Sequence, residues 1–303
     1  MIISSKWKNA EIDRWKPIYQ HSWSYRVYKA YDEELNILIT SFLYSKGYTY
    51  SHLRQDGAVW DSLVKDYMGD TATNNVLTIR QWSKSFNIFE NWMRLGFLLS
   101  ISSYFENYLA SIIKESIESD PGLIFGCSHA IDGMYLKKNN IALKKDSISQ
   151  IIMLCTKGDW CSRITHIKNL YGKIPCILAS SVSELNKIRK IRNDVGHAFG
   201  RDIERSQNYE NFVISPMTVL QVNRFNHYQR LITQIVREFD LYMVQKHIGC
   251  YEPLLHYHNM YKKIKDFDKG DKMVFLKKSL GADVNMLMSK QDCRGIIKYY
   301  DSL

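Results

Sequence analysis

Turn-forming residues are scarce in this sequence. Only 5 prolines and 15 glycines punctuate 303 residues, which is too few for the many tight turns of a β-sandwich or barrel. Leucine, isoleucine, lysine, tyrosine and serine are abundant instead, and 45% of the residues are apolar. The composition therefore predicts long helices around a hydrophobic core, and we expect an all-α protein.

Long apolar runs and paired cysteines are also lacking. No run approaches the ~18 apolar residues of a membrane span, and the first residues lack the apolar core of a signal peptide. The six cysteines form no CxxC pair, which favours reduced, mostly buried thiols over a disulfide framework. We therefore expect a cytoplasmic protein with no membrane partner.

Metal-ligand spacing is absent as well. Cys250, His256 and His258 are the nearest approach to a ligand set, but their spacing fits no standard site and no second cysteine pair completes it. We predict no metal and no cofactor.

The net charge is strongly positive. The chain carries 41 Lys and Arg against 31 Asp and Glu, a formal charge of +10. Such an excess favours an anionic partner such as nucleic acid. A solvated cationic face explains the same charge equally well, so the decision falls to the site residues.

The sequence predicts three regions: an N-terminal helical region over 1–85, a main helical bundle over 86–248 and a small C-terminal helical region over 249–303. In the first region we expect short helices separated by polar turns, with a boundary zone near 69–75. Residues 123–180 read as an irregular, surface-exposed insertion.

Two long helices are predicted within the bundle. Apolar residues recur at spacings of three and four over 89–117, and Ser119-Asp120-Pro121-Gly122 ends that run. Ser215 as N-cap and Pro216 at the first helical position predict a second long helix, which continues to about Ile248.

A third helix is predicted to begin at Ser183. Its apolar face contains Leu185, Ile188, Ile191 and Val195. On the other side, Arg189, Asn193 and His197 fall within roughly 80° of one another, whereas Arg192 lies about 140° from His197. An arginine and a histidine at a similar spacing also occur at Arg14 and His21, so spacing alone is weak evidence for a site.

The run Asn186–His197 resembles the signature of the HEPN family, an arginine followed by a polar residue and, after a short stretch, a histidine. It stands here in the form RNxxxH, as Arg192-Asn193-Asp194-Val195-Gly196-His197. The helix Phe97–Leu109, with its pair Phe105-Glu106, is similar to the first long helix of these domains. The resemblance covers about residues 86–248.

The resemblance implies a HEPN-like helical bundle with helical extensions at both ends. It also implies a homodimer that shares one active site and cuts RNA without metal, leaving a 2′,3′-cyclic phosphate and a 5′-hydroxyl. Many members act as toxins or antiphage effectors, so an antitoxin or defence-system protein is an implied partner. No residue indicates which RNA is cut.

The residue types suit that chemistry. A histidine can move a proton near neutral pH, and an arginine can hold a phosphate by bidentate contacts. We expect His197 to act as general acid or base, Arg192 to hold the scissile phosphate, and Asn193 to orient one of them. Glu106 is a candidate for fixing the arginine or transferring a proton. The expected RNA-binding residues are Arg189, Lys190 and Arg201.

Other interpretations remain open. Arg192 and His197 could instead stabilise the C-terminus of their helix, where positive charge is favoured, and Glu106 could be a solvated or ion-paired residue. The chain could be a non-catalytic HEPN-like module that binds RNA or protein, or an interaction protein whose basic face meets an acidic partner.

Overall fold

The computed structural model describes residues 11–69, 76–207 and 214–303. These residues form α-helices, and the one pairing of extended backbone among them is an isolated bridge between Leu63 and Thr78. The expected all-α class is therefore confirmed for the described part of the chain. None of the described helices combines the length and the apolar character needed to cross a membrane.

The helices are numbered in chain order. They are α1 (Trp23–Gln55), α2 (Lys65–Met68), α3 (Ile79–Ser119), α4 (Gly133–Lys138), α5 (Lys145–Thr156), α6 (Trp160–Tyr171), α7 (Cys176–Ser180), α8 (Val182–Ala198), α9 (Ile203–Gln207), α10 (Val222–Met243), α11 (Tyr251–Ile264), α12 (Lys269–Val284) and α13 (Lys290–Ser302). A 3-10 turn (Pro121–Phe125) follows α3, and a π-helical turn (Val244–Ile248) follows α10.

The longest helix, α3, is delimited at both ends by its sequence. At its start, the backbone N–H of Gln81 donates to the hydroxyl of Thr78 (3.3 Å), and the N–H of Thr78 donates to the side chain of Gln81 (3.0 Å). This reciprocal capping box starts the helix earlier than the predicted Phe89. The predicted end is confirmed, because α3 stops at Ser119, just before Asp120-Pro121.

The chain divides into two compact units. Unit 1 comprises residues 1–28, 105–183 and 233–303, and unit 2 comprises residues 29–104 and 184–232. Each unit draws on more than one of the three regions predicted from the sequence, and those regions stay a prediction.

Unit 1 has an apolar core that includes the C-terminal part of α3, from Phe105 onward. Ile112, Ile113 and Ile117 of α3 are fully buried, as are Val236 and Phe239 of α10. The segments of unit 1 between α3 and α8 contain α4 to α7, so the irregular insertion expected over 123–180 is wrong. Asp132 and Asp159 start α4 and α6 by accepting hydrogen bonds from backbone N–H groups, a local capping signal.

The first helix within the described residues, α1, also differs from the expectation. Instead of short helices separated by turns, α1 is a single helix of 33 residues. No proline interrupts Trp23–Gln55, and Tyr28, Leu35 and Leu53 are buried along it, so nothing in its sequence ends it early. The predicted boundary zone at 69–75 lies outside the described residues except for Gly69.

The predicted start of the second long helix is wrong. Ser215 and Pro216 do not begin α10, which starts at Val222. The preceding segment is held extended within unit 2 by hydrogen bonds to side chains of α3: Asn91 accepts from the N–H of Leu220 (2.8 Å) and donates to the carbonyl of Thr218 (2.9 Å). A helix from Ser215 would lose these bonds.

Unit 1 contains a carboxyl pair in its interior. Glu252 of α11 is fully buried, and it accepts a hydrogen bond from the N–H of Trp23. Glu115 of α3 lies beside it and accepts a hydrogen bond from Ser24 (3.1 Å). Burial raises the pKa of Glu115 to about 7, and burial together with the charge of Glu115 raises the pKa of Glu252 well above its usual value. At neutral pH the pair therefore retains a proton.

We predict that this pair makes the protein less stable as the pH rises. The pKa of Glu115 is about 7 in the folded protein and 4.5 for an ordinary glutamate. A carboxyl with such a raised pKa stabilises the folded state fully below the unfolded-state pKa, and this contribution is lost as the pH rises through the folded-state pKa. Glu252→Gln keeps the hydrogen-bonding groups but cannot ionise. The unfolding free energy, measured by chemical denaturation at each pH, should fall between about pH 5 and pH 8. The fall should be larger in the wild type than in Glu252→Gln, by on the order of 2 kcal/mol.

The matched control is Glu34→Gln, which alters an exposed carboxyl on α1. This variant should keep the wild-type pH dependence. Identical slopes for Glu252→Gln and the wild type would show that the pair does not carry the effect.

Candidate functional site

The motif predicted from the sequence lies on α8, which is one unbroken helix. Leu185, Ile188 and Ile191 are buried, as the 3.6-residue period predicts, and Val195 is half-buried. This apolar face packs into unit 2. The opposite face is left to polar and charged side chains.

The end of α8 follows the motif at once. Phe199 has φ +55° and Gly200 has φ +78°, both in the left-handed region. A Cβ on Gly200 would come within 2.9 Å of a methyl carbon of Leu95 and 3.3 Å of Met217. Glycine is therefore required there for its backbone angle and for its size. The N–H of Gly200 donates to the carbonyl of Asp194 (2.9 Å), which closes the last turn.

The three motif residues differ in exposure. Arg192 and Asn193 are half-buried, whereas His197 is exposed. Nη1 of Arg192 donates to Oδ1 of Asn193 at 3.2 Å. The amide expected to orient the histidine or the phosphate thus contacts the arginine. Because α8 is regular over these positions, Arg192 and His197 project about 140° apart and Asn193 about 40° from His197.

Three further cations surround the motif within unit 2. Arg189 is half-buried and Lys190 is exposed, both on α8. Arg201 follows the helix end: its Nε donates to the carbonyl of Ser215 (2.9 Å), and its guanidinium lies 5.9 Å from the ring centroid of Phe199. These contacts position Arg201 and leave part of its guanidinium available to a ligand.

An aromatic cluster adjoins the end of α8, and the sequence interpretation did not identify it. Phe199 is 57% exposed, and its ring stacks on Trp92 with centroids 5.6 Å apart. Trp92 in turn stacks on Phe89, with centroids 6.0 Å apart. Phe199 and the motif are neighbours in sequence, but the two rings from α3 are about a hundred residues away, so no local pattern joins them.

Glu106 has different neighbours from those expected. It belongs to unit 1, where its Oε1 lies 3.2 Å from Nη2 of Arg163 and its Oε2 lies 3.7 Å from Nζ of Lys157. Arg163 is itself buried, and its guanidinium lies over the ring of Trp160 (4.6 Å). The arginine that Glu106 holds in the structure is therefore Arg163, and its role in catalysis stays a prediction.

The second arginine–histidine pair of the sequence is structural. Arg14 is buried, and its guanidinium donates to the carboxylate of Asp132 (3.1 Å), the carbonyl of Ile248 (2.7 Å) and the hydroxyl of Ser119 (2.8 Å). His21 is bonded to a different carboxylate of unit 1. A similar spacing in the sequence thus corresponds to two different environments.

The metal ligands considered from the sequence do not assemble. The thiol of Cys250 contacts a backbone carbonyl, Nε2 of His256 lies 3.0 Å from the hydroxyl of Ser279, and Nδ1 of His258 lies 2.7 Å from that of Tyr300. Each of the three groups thus has a different hydrogen-bond partner, and the three do not face a common point.

All six cysteines lie in the described ranges, and all are free thiols. We expected most of them to be buried, but only half of them are. Buried are Cys155, Cys250 and Cys293, and exposed are Cys127, Cys161 and Cys176.

Comparisons of this chain with family models, with curated proteins and with solved structures find no match. The HEPN resemblance therefore rests on the residues of α8 and α3 that carry it.

Truncation of Arg14 should destabilise the protein strongly, whereas truncation of His197 should hardly change its stability. Arg14→Ala leaves buried acceptors and a carboxylate without their partner, and we expect it to lower the unfolding free energy by about 3–5 kcal/mol. His197→Ala removes an exposed ring and should change it by less than about 0.5 kcal/mol. Denaturant titrations of both variants measure the difference. A large loss of stability in His197→Ala would mean that this histidine supports the fold.

Proposed function

We propose that this protein is a metal-independent RNA endonuclease of the HEPN type, with Arg192 and His197 as its catalytic residues. The observation that carries the proposal is the arrangement on α8: the arginine is oriented by Asn193, and the histidine stands exposed on the same helix. A toxin or antiphage role, with a cognate antitoxin or defence-system partner, forms part of this proposal.

The proposed reaction is an intramolecular transesterification. The 2′-oxygen of the ribose attacks the phosphorus as His197 accepts its proton, and the bond to the 5′-oxygen breaks as a proton is returned to that leaving group. The products are a 2′,3′-cyclic phosphate and a 5′-hydroxyl. Arg192 donates to the non-bridging oxygens, whose charge grows in the transition state.

A second copy of the chain would complete this site. Side chains about 140° apart on one helix do not meet over a single phosphate. Two α8 helices related by a two-fold axis would place Arg192 of each beside His197 of the other. Gly196 supports the close approach, because a Cβ there would meet nothing within 4 Å. This glycine is not needed for packing within the chain.

The surroundings suit a single-stranded RNA. Arg189, Lys190 and Arg201 supply positive charge for the phosphates. The exposed ring of Phe199, backed by Trp92, offers a face on which an unpaired base can stack.

The first test is cleavage of RNA by the purified protein in EDTA. Wild type should cut, with 2′,3′-cyclic phosphate ends identified by their resistance to alkaline phosphatase. Arg192→Ala and His197→Ala should each lose at least ~100-fold in rate, because each removes a group that acts in the transition state. Arg192→Lys keeps the charge but loses the bidentate geometry, and it should stay strongly impaired.

Matched controls are His227→Ala and Arg205→Ala, which remove an exposed histidine and an exposed arginine elsewhere in unit 2. Both should cut at close to the wild-type rate. Wild-type rates for Arg192→Ala and His197→Ala would refute the proposed site, and RNA binding without cleavage by the wild type would make the chain a binding module.

A mixing experiment tests whether the site is shared between copies. Mixed dimers of Arg192→Ala and His197→Ala chains retain one intact pair formed across the two chains, and they should regain a substantial part of the lost activity. Arg192→Ala mixed with the Arg192→Ala/His197→Ala double variant contains no intact arginine and should stay inactive. Absence of rescue in the first mixture, or full activity of a protein that light scattering shows to be monomeric, would contradict the shared site.

A further inference from the structure

We propose that Asp120, His129 and His247 form a binding site for a divalent transition metal, with Zn²⁺ as the best-matched ion. One ligand atom from each residue lies within 4.8 Å of the other two. Oδ2 of Asp120 is 3.1 Å from Nδ1 of His247 and 3.9 Å from Nε2 of His129. Two imidazoles and a carboxylate are a ligand set that zinc takes in proteins. This cluster belongs to unit 1, and the proposal is independent of the nuclease proposed for α8.

The three ligands come from three separate segments of unit 1. Asp120 follows the end of α3, His129 lies in the loop before α4, and His247 lies on the π-helical turn after α10. π-Helical turns are rare and are frequently found at functional sites. His129 has φ +65°, which is uncommon for a residue other than glycine. Two irregular backbone segments thus bring histidines to one buried carboxylate.

The carboxylate of Asp120 is held in place before any ion binds. Its Oδ2 accepts hydrogen bonds from the hydroxyl of Ser128 (2.6 Å) and from Nδ1 of His247, and its Oδ1 accepts from the backbone N–H of His129 (2.8 Å). An ion would replace the proton between Oδ2 and Nδ1 of His247 and release it to solvent, whereas the bonds from Ser128 and the backbone of His129 can persist. Supporting hydrogen bonds of this kind fix the orientation of ligating carboxylates in metal sites.

The imidazole of His129 is the movable ligand. Its ring stacks on Trp15 with centroids 4.2 Å apart, which restricts its plane, and its Nε2 lies 2.6 Å from the carbonyl of Lys246. Binding of a metal requires that Nε2 exchange this hydrogen bond for coordination, which a small rotation of the ring allows. His129 is also partly exposed, with 42% of its side chain accessible, and so gives an ion a route to the two buried ligands.

A serine–histidine–aspartate mechanism does not fit the same residues. In such a mechanism the histidine contacts the aspartate through one ring nitrogen and the serine through the other. Here Ser128 and Nδ1 of His247 both reach the same oxygen of Asp120, and Nε2 of His247 is buried with no hydrogen-bond partner in the described residues. The cluster can coordinate an ion but cannot relay a proton between serine and aspartate.

The test is zinc binding by the full chain after treatment with a chelator and dialysis. Competition with a chromophoric zinc indicator should give one Zn²⁺ per chain, and thermal melting should shift upward with added Zn²⁺, because an ion that binds the folded state stabilises it. Cobalt should replace zinc and give the visible absorption of a low-symmetry Co²⁺ site.

His129→Gly is the decisive variant. It removes one ligand, and glycine adopts the positive φ without strain, so the fold should persist. We expect its zinc affinity to fall at least ~10-fold, and its zinc-dependent thermal shift should become correspondingly smaller than that of the wild type. Asn140→Gly is the matched control: Asn140 has φ +56° in an exposed turn and lies outside the cluster. It should bind zinc as the wild type does.

Two outcomes would overturn the proposal. One is a result in which the chelator-treated wild type, in competition with the zinc indicator, binds less than one zinc ion per chain even at the highest Zn²⁺ concentration. The other is an affinity of His129→Gly equal to that of the wild type. In either case the three side chains form only a hydrogen-bonded cluster.

Discussion

Hydrogen bonding of buried polar groups fixes two non-helical segments in the described part of the chain, the one before α1 and the one before α10. A polar group taken out of water without a partner costs free energy, and a buried charge costs more. In unit 1 the guanidinium of Arg14 satisfies this condition by bonding to Asp132, Ser119 and Ile248. The backbone carbonyl of Arg14 also accepts a hydrogen bond from the N–H of Cys250. The segment before α1 is therefore tied to the ends of α3 and of the π-helical turn.

The same requirement positions the candidate site in unit 2. The segment before α10 cannot form helix while Asn91 bonds to both Thr218 and Leu220. The carbonyl of Gly200 accepts from Thr218, and Arg201 donates to Ser215. The extended segment thus fixes the chain directly after α8, and the exposed end of the motif is attached to a defined backbone although His197 itself packs against little.

How far the sequence predicts this structure depends on whether the signal is local. The end of α3 before Asp120-Pro121 and the buried face of α8 follow from neighbouring residues, and both predictions are confirmed. The start of α10 was mispredicted because Ser215-Pro216 is a sound local helix start, whereas Asn91, which prevents it, is more than a hundred residues away. The irregular insertion expected over 123–180 was mispredicted although its helices carry local signals: Asp132 and Asp159 cap α4 and α6, and the buried apolar residues of α6, Trp160, Ile164, Ile167 and Tyr171, recur at helical spacing.

The candidate sites also differ in whether their residues are close together in the sequence. The residues of the α8 motif are consecutive, so a resemblance in the sequence can identify them. The aromatic rings beside it and the Asp120–His129–His247 cluster are assembled by the fold from distant segments. His247 has no informative neighbours in the sequence, and it becomes notable only when the π-helical turn brings Nδ1 to the carboxylate of Asp120.

The two histidine sites make opposite demands on an imidazole ring. In the proposed nuclease, proton transfer at His197 requires exposure to the substrate, whereas in the proposed metal site coordination at His247 requires a fixed ring nitrogen in a buried setting. The two proposals are therefore compatible in one chain: cleavage would need no metal at α8, whereas zinc bound to the Asp120–His129–His247 cluster would add to the stability of the folded state. If both proposals hold, a chelator that removes the ion lowers the number of folded molecules by mass action, whereas the rate of RNA cleavage per folded molecule does not change. A catalytic metal would instead slow every folded molecule.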